Sequence, residues 1–154
     1  MHGTTKKIAL FAILLLGLLW RLFFLYHGSL WPDEALYLCL AKKLSYSPLN
    51  LTDSNDRFFF LNPPLFMYLL SLLSYIAHEN LILLGRLLTI FFDVGTIYLV
   101  YRLAYGLYNQ KVALLASALL AFNPLHVWMS TRILVDLSLT FFIYLALLLL
   151  FLRR

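Results

Sequence analysis

Apolar residues run almost unbroken from Ile8 to Tyr26, Leu81 to Tyr105, Val112 to Met129 and Val135 to Leu152. Each run is close to, or longer than, the roughly 20 residues a helix needs to cross a bilayer. This pattern predicts four membrane-crossing helices. A further apolar stretch, opened by Asn62-Pro63-Pro64 and ending at Ala77, is too short to cross. It reads as a re-entrant or interfacial helix, with proline placed where the first amides need no partner. Between Glu34 and Ser45, apolar residues recur at Leu36, Leu40 and Leu44 beside Lys42 and Lys43, the pattern of a helix lying along the membrane surface. Asn123-Pro124 interrupts the third long run and is expected to bend it. The expected fold is all-α: a polytopic membrane helix bundle forming one domain over residues 1–154. In it, about four transmembrane helices are joined by a surface helix and a re-entrant helix in a loop over residues 27–80.

Composition agrees with the pattern. The chain is 63% hydrophobic and 12% charged, with a mean hydropathy of +0.87, too apolar for a core wrapped in a polar skin. The formal charge of +5 sits mostly at the ends of apolar runs, so it reports orientation in a bilayer and not an affinity for nucleic acid. The first run, preceded by Lys6-Lys7, is long enough to span and has no small-residue cleavage site after it, so it reads as an uncleaved anchor. Arg21 near its far end is expected to snorkel to the interface, the alternative being an inward turn to bind an anion. Cys39 is the only cysteine, which excludes an internal disulfide.

Charge then decides the topology. With a re-entrant Pro63 to Ala77, the residues Lys6, Lys7, Arg102, Lys111, Arg153 and Arg154 all fall on the cytoplasmic side, as the positive-inside bias requires. A full fifth crossing would scatter them. The same choice collects Asp33, Glu34, Asn62, Arg86, Arg132 and Asp136 on the outer, extracytoplasmic side of a cell membrane.

Acids beside arginines suit a reaction in which a carboxylate deprotonates a hydroxyl and guanidinium groups hold a departing phosphate. Each residue has a plainer role as well. Pro32-Asp33-Glu34 also suits a helix start, where Asp33 would cap. Arg132 and Asp136, four apart, can form a local pair, and Arg86 can anchor at the interface. Asp93 lies mid-span, seven residues after Arg86 and near the same face, where ionisable groups are costly and usually paired; it reads as structural. His126 and His78 have no ligand spacing around them, and Phe58-Phe59-Phe60 reads as an interfacial anchor.

The order of these features carries a resemblance: an apolar anchor, Asp33-Glu34-x-x-Tyr37, a surface helix, Asn62-Pro63-Pro64-Leu65, Gly85-Arg86-Leu87, Asn123-Pro124, then Arg132-x-x-x-Asp136 before an apolar span. It resembles the N-terminal part of the lipid-linked C-type glycosyltransferases, nearest to the protein O-mannosyltransferases and the aminoarabinose transferases of lipid A. The resemblance implies inverting transfer of a sugar from a polyprenyl-phosphate donor to an acceptor protein, lipid or glycan. Asp33 is then the catalytic acid of the first outer loop, Glu34 its partner acid and Asp136 the second acid. Arg132, Arg86, Asn62 and Tyr37 are the expected phosphate or substrate contacts. Where many relatives have Lys or His before Pro-Pro, this chain has Asn62, which shifts the phosphate contact toward the arginines. Metal use stays open, with Asp33 and Asp136 as the ligands if Mg²⁺ or Mn²⁺ takes part.

Relatives are several times longer, so the resemblance also leads to the expectation that the chain works with a second-half subunit or another copy of itself. Two readings from other classes stand beside the enzyme. One is a transporter fragment with Arg86 and Asp93 lining an ion path; the other is a non-catalytic membrane subunit. Acids gathered in an outer loop favour transfer, and mid-span carboxylates favour transport.

Overall fold

The computed structural model describes residues 2–26, 29–50, 52, 64–76 and 79–153, with side chains from Lys7 onward. Seven helices follow in order: α1 (His2–Phe24), α2 (Pro32–Tyr46), α3 (Pro64–Ile76), α4 (Leu81–Leu107), α5 (Gln110–Ala121), α6 (Pro124–Ser130) and α7 (Val135–Leu152). Three of them, α1, α4 and α7, are long and apolar enough to cross a membrane, and α5 and α6, bent by 59° at the break between them, reach that length only when counted together as a fourth span. The chain is a multi-pass membrane protein. The 13 residues of α3 reach only about 20 Å at a 1.5 Å rise, short of a ~30 Å hydrocarbon core.

The bend between α5 and α6 has a local cause. Pro124 lacks an amide hydrogen and disfavours helical geometry in the residue before it, and Asn123 is accordingly extended at φ −64°, ψ 120°. The Asn123 side chain then caps α6 by accepting from the His126 amide at 3.1 Å. The end of α5 is left with carbonyls that have no helical partner, which hydrocarbon does not tolerate. Arg21 of α1 answers one of them, donating from Nη1 to the Ala121 carbonyl at 2.8 Å, while also donating to Gly17 O at 2.9 Å.

Arg21 thus does not snorkel but turns inward, and the anion it meets is a side chain of the same chain. It is fully buried and forms an ion pair through Nε with Asp93 of α4, whose other oxygen lies 2.5 Å from His126 Nδ1 without hydrogen-bond alignment. The neighbour of Asp93 is therefore a guanidinium from another helix and not Arg86 on its own. A charge deep in a membrane costs several kcal/mol unless paired, so this cluster ties α1, α4 and the α5–α6 bend into one unit. No spacing along the chain marks that pairing.

The second core lies between α2, α3, the start of α4 and the joint before α7. Tyr37, Leu38, Leu40, Ala41 and Leu44 of α2 meet Phe66, Met67 and Leu70 of α3, with Ile133 and Val135 closing one end. The inward stripe of α2 is thus centred on 37, 40, 41 and 44, and Leu36 is only partly buried. Along this stripe α2 packs against α3. Tyr37, a candidate substrate contact, is 6% exposed and packs edge-on against Phe66 at 6.4 Å between ring centres, which places it in this core.

Close approach depends on missing side chains. A Cβ on Gly85 would stand 2.8 Å from Ile133 Cδ1, 3.1 Å from its Cγ1 and 3.2 Å from Leu70 Cδ2, so α4 touches the joint before α7 through a bare backbone, as small residues allow in membrane bundles. Gly85→Val is expected to lower stability by roughly 1–3 kcal/mol through overpacking, read as a lower unfolding midpoint in detergent. A midpoint equal to wild type would show that Ile133 moves freely.

Candidate active site at the joint of three helix ends

Glu34 is the centre of the arrangement. Pro32 opens α2 and Trp31 before it is extended, a geometry that turns the third residue of the helix back toward the cap. Glu34 Oε2 accordingly accepts from the Trp31 amide at 3.0 Å. The capping carboxylate is Glu34, where the sequence had pointed to Asp33. The other oxygen, Oε1, accepts from the Ile133 amide at 3.0 Å, a bond between residues ninety-nine positions apart.

Arg86 of α4 completes the clamp. Its Nε and Nη2 donate to the two oxygens of Glu34 at 3.0 and 3.2 Å, a bidentate geometry suited to a planar fork. Its Nη1 donates to the Leu25 carbonyl at 2.9 Å. Arg132 adds a longer contact, Nη1 to Glu34 Oε2 at 3.7 Å. Burial by itself would raise the Glu34 pKa, but hydrogen bonds from Arg86, Trp31 and Ile133 and the nearby Arg86 charge outweigh it and hold the carboxyl below its usual range. Glu34 has no exposed surface and both its oxygens are engaged.

Arg132 occupies an aromatic notch. Its Cζ lies 4.9 Å from the Trp31 ring centre and 4.7 Å from that of Trp128, and the two indoles stand nearly perpendicular, 5.0 Å apart at 81°. Nη1 donates weakly to Ser29 O at 3.4 Å. Nε is buried without an acceptor, a costly state for a charged donor. The local Arg132–Asp136 pair allowed by their spacing does not form; Arg132 turns to Glu34 and the indoles.

Asp33 and Asp136 differ from Glu34 in being exposed. Neither carboxylate makes a hydrogen bond or ion pair among the described residues, while the Asp136 backbone carbonyl accepts from Thr140 Oγ1 at 2.7 Å. Asp33 adjoins Glu34, and Asp136 follows Ile133 by three residues, so the bond from Ile133 N to Glu34 ties together the two segments that carry the exposed acids. Asn62 lies outside the described residues, as do His78 and Phe58-Phe59-Phe60. Among the described residues no three His, Cys, Asp or Glu side chains gather as a metal site.

Trp31 and Trp128 were invisible as site residues in the sequence, although Trp128 stands one helical turn before Arg132. An apolar cavity of about 290 Å³, lined by Trp20, Phe24, Phe122, Pro124, Val127, Trp128 and Thr131, shares Trp128 with the notch. Arg86 and Asp93, which the transport reading had lining an ion path, are both buried against partners of opposite charge.

A family model described as dolichyl-phosphate-mannose-protein mannosyltransferase matches residues 61–153, a stretch that holds Arg86, Arg132 and Asp136, while Trp31, Asp33 and Glu34 precede it. No curated protein and no solved structure matches the chain. With more than half of its length matched, and with its membrane helices bringing acids and arginines to one joint, the chain belongs to the dolichyl-phosphate-mannose-protein mannosyltransferase family, a family of glycosyltransferases.

Proposed function

We propose that this chain takes part in inverting transfer of a sugar, mannose by family, from a polyprenyl-phosphate donor to an acceptor hydroxyl on the extracytoplasmic face of the cell membrane. The observation that carries this reading is the joint itself. Arg132, which has an unanswered buried donor, meets Glu34 and Trp31 beside the exposed Asp33, and the exposed Asp136 follows it by four residues.

In the proposed step, Asp33 takes the proton of the acceptor hydroxyl, whose oxygen attacks the anomeric carbon from the face opposite the phosphate. The bond from that carbon to the phosphate oxygen breaks and the electron pair leaves with polyprenyl phosphate. A diester with one negative charge becomes a monoester with a second one, so donors already aimed at the leaving oxygen lower the barrier. Arg132 is the donor in this reading. Asp136 orients the acceptor or the sugar. Glu34 and Arg86 act as positioning residues: each satisfies the other, and together they fix the start of α2 against the joint before α7. Membrane lipids surround the spans, and the acceptor is a protein, lipid or glycan bearing a hydroxyl.

Reconstituting the assembled protein in liposomes with polyprenyl-phosphate mannose and a hydroxyl-bearing acceptor peptide tests the reading. Expected is consumption of the donor and release of polyprenyl phosphate, without ion flux. Ion flux with an intact donor would favour transport and overturn it.

The face is tested separately. The proposed orientation puts the α4–α5 turn with Lys111 in the cytoplasm. A cysteine at the exposed Asn109, in a Cys39→Ser background, is expected to react with an impermeant thiol reagent only after the membrane is opened. Labelling of intact cells would reverse the orientation.

A further inference from the structure

We propose that Trp31 and Trp128 are positioning residues for anion binding: their indoles hold the Arg132 guanidinium so that its Nε edge receives an oxyanion of the lipid-linked phosphate. This rests on the reading of Arg132 as a ligand of the donor phosphate and goes beyond it, because it assigns the orientation of that ligand to two aromatic side chains.

The geometry supplies the argument. The Arg132 carbon and the two ring centres form a nearly equilateral triangle, with sides of 4.9, 4.7 and 5.0 Å. A guanidinium in such a corner is attracted by the electron-rich ring faces and loses the rotational freedom of a long side chain. Nη1 is turned toward Ser29 O and Glu34. The opposite edge carries Nε, buried and without an acceptor. A fork of Nε–H and Nη2–H presents two parallel donors, the match for two phosphate oxygens.

The backbone of each tryptophan is held at the joint. Trp31 donates its amide to Glu34, so the residue that clamps Arg86 also sets one wall of the notch. Trp128 belongs to the last turn of α6, where its carbonyl accepts from Thr131 Oγ1 at 3.0 Å. Both tryptophans are about 40% exposed, so the notch lies at the surface of the protein.

The ordinary alternative is that both tryptophans only anchor the protein at the membrane interface. Two kinds of replacement separate the roles: phenylalanine keeps a ring face, and leucine keeps apolar bulk alone. The affinity of the detergent-solubilised full chain for farnesyl phosphate is measured by calorimetry, with farnesol as the phosphate-free control, for Trp31→Phe, Trp31→Leu, Trp128→Phe, Trp128→Leu and Arg132→Gln. Expected is that each leucine variant weakens farnesyl phosphate by roughly tenfold, the scale of a lost cation–π contact at a partly desolvated site, and leaves farnesol unchanged. The phenylalanine variants should stay within about threefold of wild type.

If both leucine variants bind farnesyl phosphate as tightly as their phenylalanine counterparts while Arg132→Gln loses that affinity, the indoles do not position the guanidinium and the proposal is wrong, though Arg132 keeps its role. If Arg132→Gln keeps wild-type affinity, the phosphate reading itself fails and the proposal falls with it. Loss of farnesol binding in a leucine variant would point to a lipid-packing role and would also overturn it.

Discussion

Asp33→Asn is expected to lower sugar transfer by roughly 10²- to 10⁴-fold, the range for loss of a general base, while leaving the protein folded and membrane-inserted. Asp33 stands exposed at the second position of α2, and no described side chain depends on its charge, so stability should change by no more than about 0.5 kcal/mol. Asparagine keeps the size and a hydrogen-bonding carbonyl but cannot take a proton at neutral pH. Turnover in the assembled enzyme near the wild-type value would reduce Asp33 to a favourable charge at the helix N-terminus, worth only about 0.3–1 kcal/mol of stability. A parallel Asp136→Asn variant should be slowed less, because orienting a substrate leaves the proton transfer in place.

The second large effect is expected at Glu34, and here stability and activity fall together. Four donors converge on its two oxygens: Arg86 Nε and Nη2, the Trp31 amide and the Ile133 amide. Glutamine offers one acceptor oxygen and turns an NH₂ group toward donors. It also leaves Arg86 and Arg132, 8% and 9% exposed, without their carboxylate. Removing one partner of a buried ion pair typically costs about 3–5 kcal/mol, so Glu34→Gln should unfold in detergent at a clearly lower temperature.

The pH dependence supplies an independent check. The folded-state pKa of Glu34 lies below its ordinary value of 4.5. Its stabilising contribution is therefore complete above that ordinary value and disappears as pH falls through the lowered one. Wild type should lose stability in that acid window, and Glu34→Gln should lose less there, having no such group to protonate. Unfolding curves for the two proteins that run parallel from neutral to acid pH would show that Glu34 is not the clamp.

Much of the helical plan was legible because bilayer thickness imposes a length on every apolar run. The span from Val135 to Leu152 has the bounds its hydropathy suggested, and Asn123-Pro124 marked the bend for the covalent reason that proline lacks a donor. The short α3 declared itself by length alone. The order of acidic and arginine motifs was enough to suggest the family, which the match over residues 61–153 supports.

The pairing of charges was not legible. Sequence spacing offered Arg132 with Asp136 and set Asp93 near Arg86, since local neighbours on a helix are all that periodicity can see. The partners come instead from other helices: Arg21 for Asp93, and Arg86 for Glu34. Arg21 in particular looked like an interfacial residue because it lies near the end of its run. The bend in the α5–α6 span left a carbonyl that needed a donor, and only the folded bundle brings α1 alongside it.

The sequence by itself thus determined that this is a membrane bundle of the observed helices, because burying backbone polar groups in hydrocarbon admits few other solutions. Which acid stays free was decided by tertiary structure. Asp33 and Glu34 are neighbours with almost the same chemistry, yet the extended Trp31 and the arriving Ile133 amide enclose Glu34 and leave Asp33 in the open. That difference arises from contacts between residues distant in the chain, where the direction of a side chain is fixed by what packs against it.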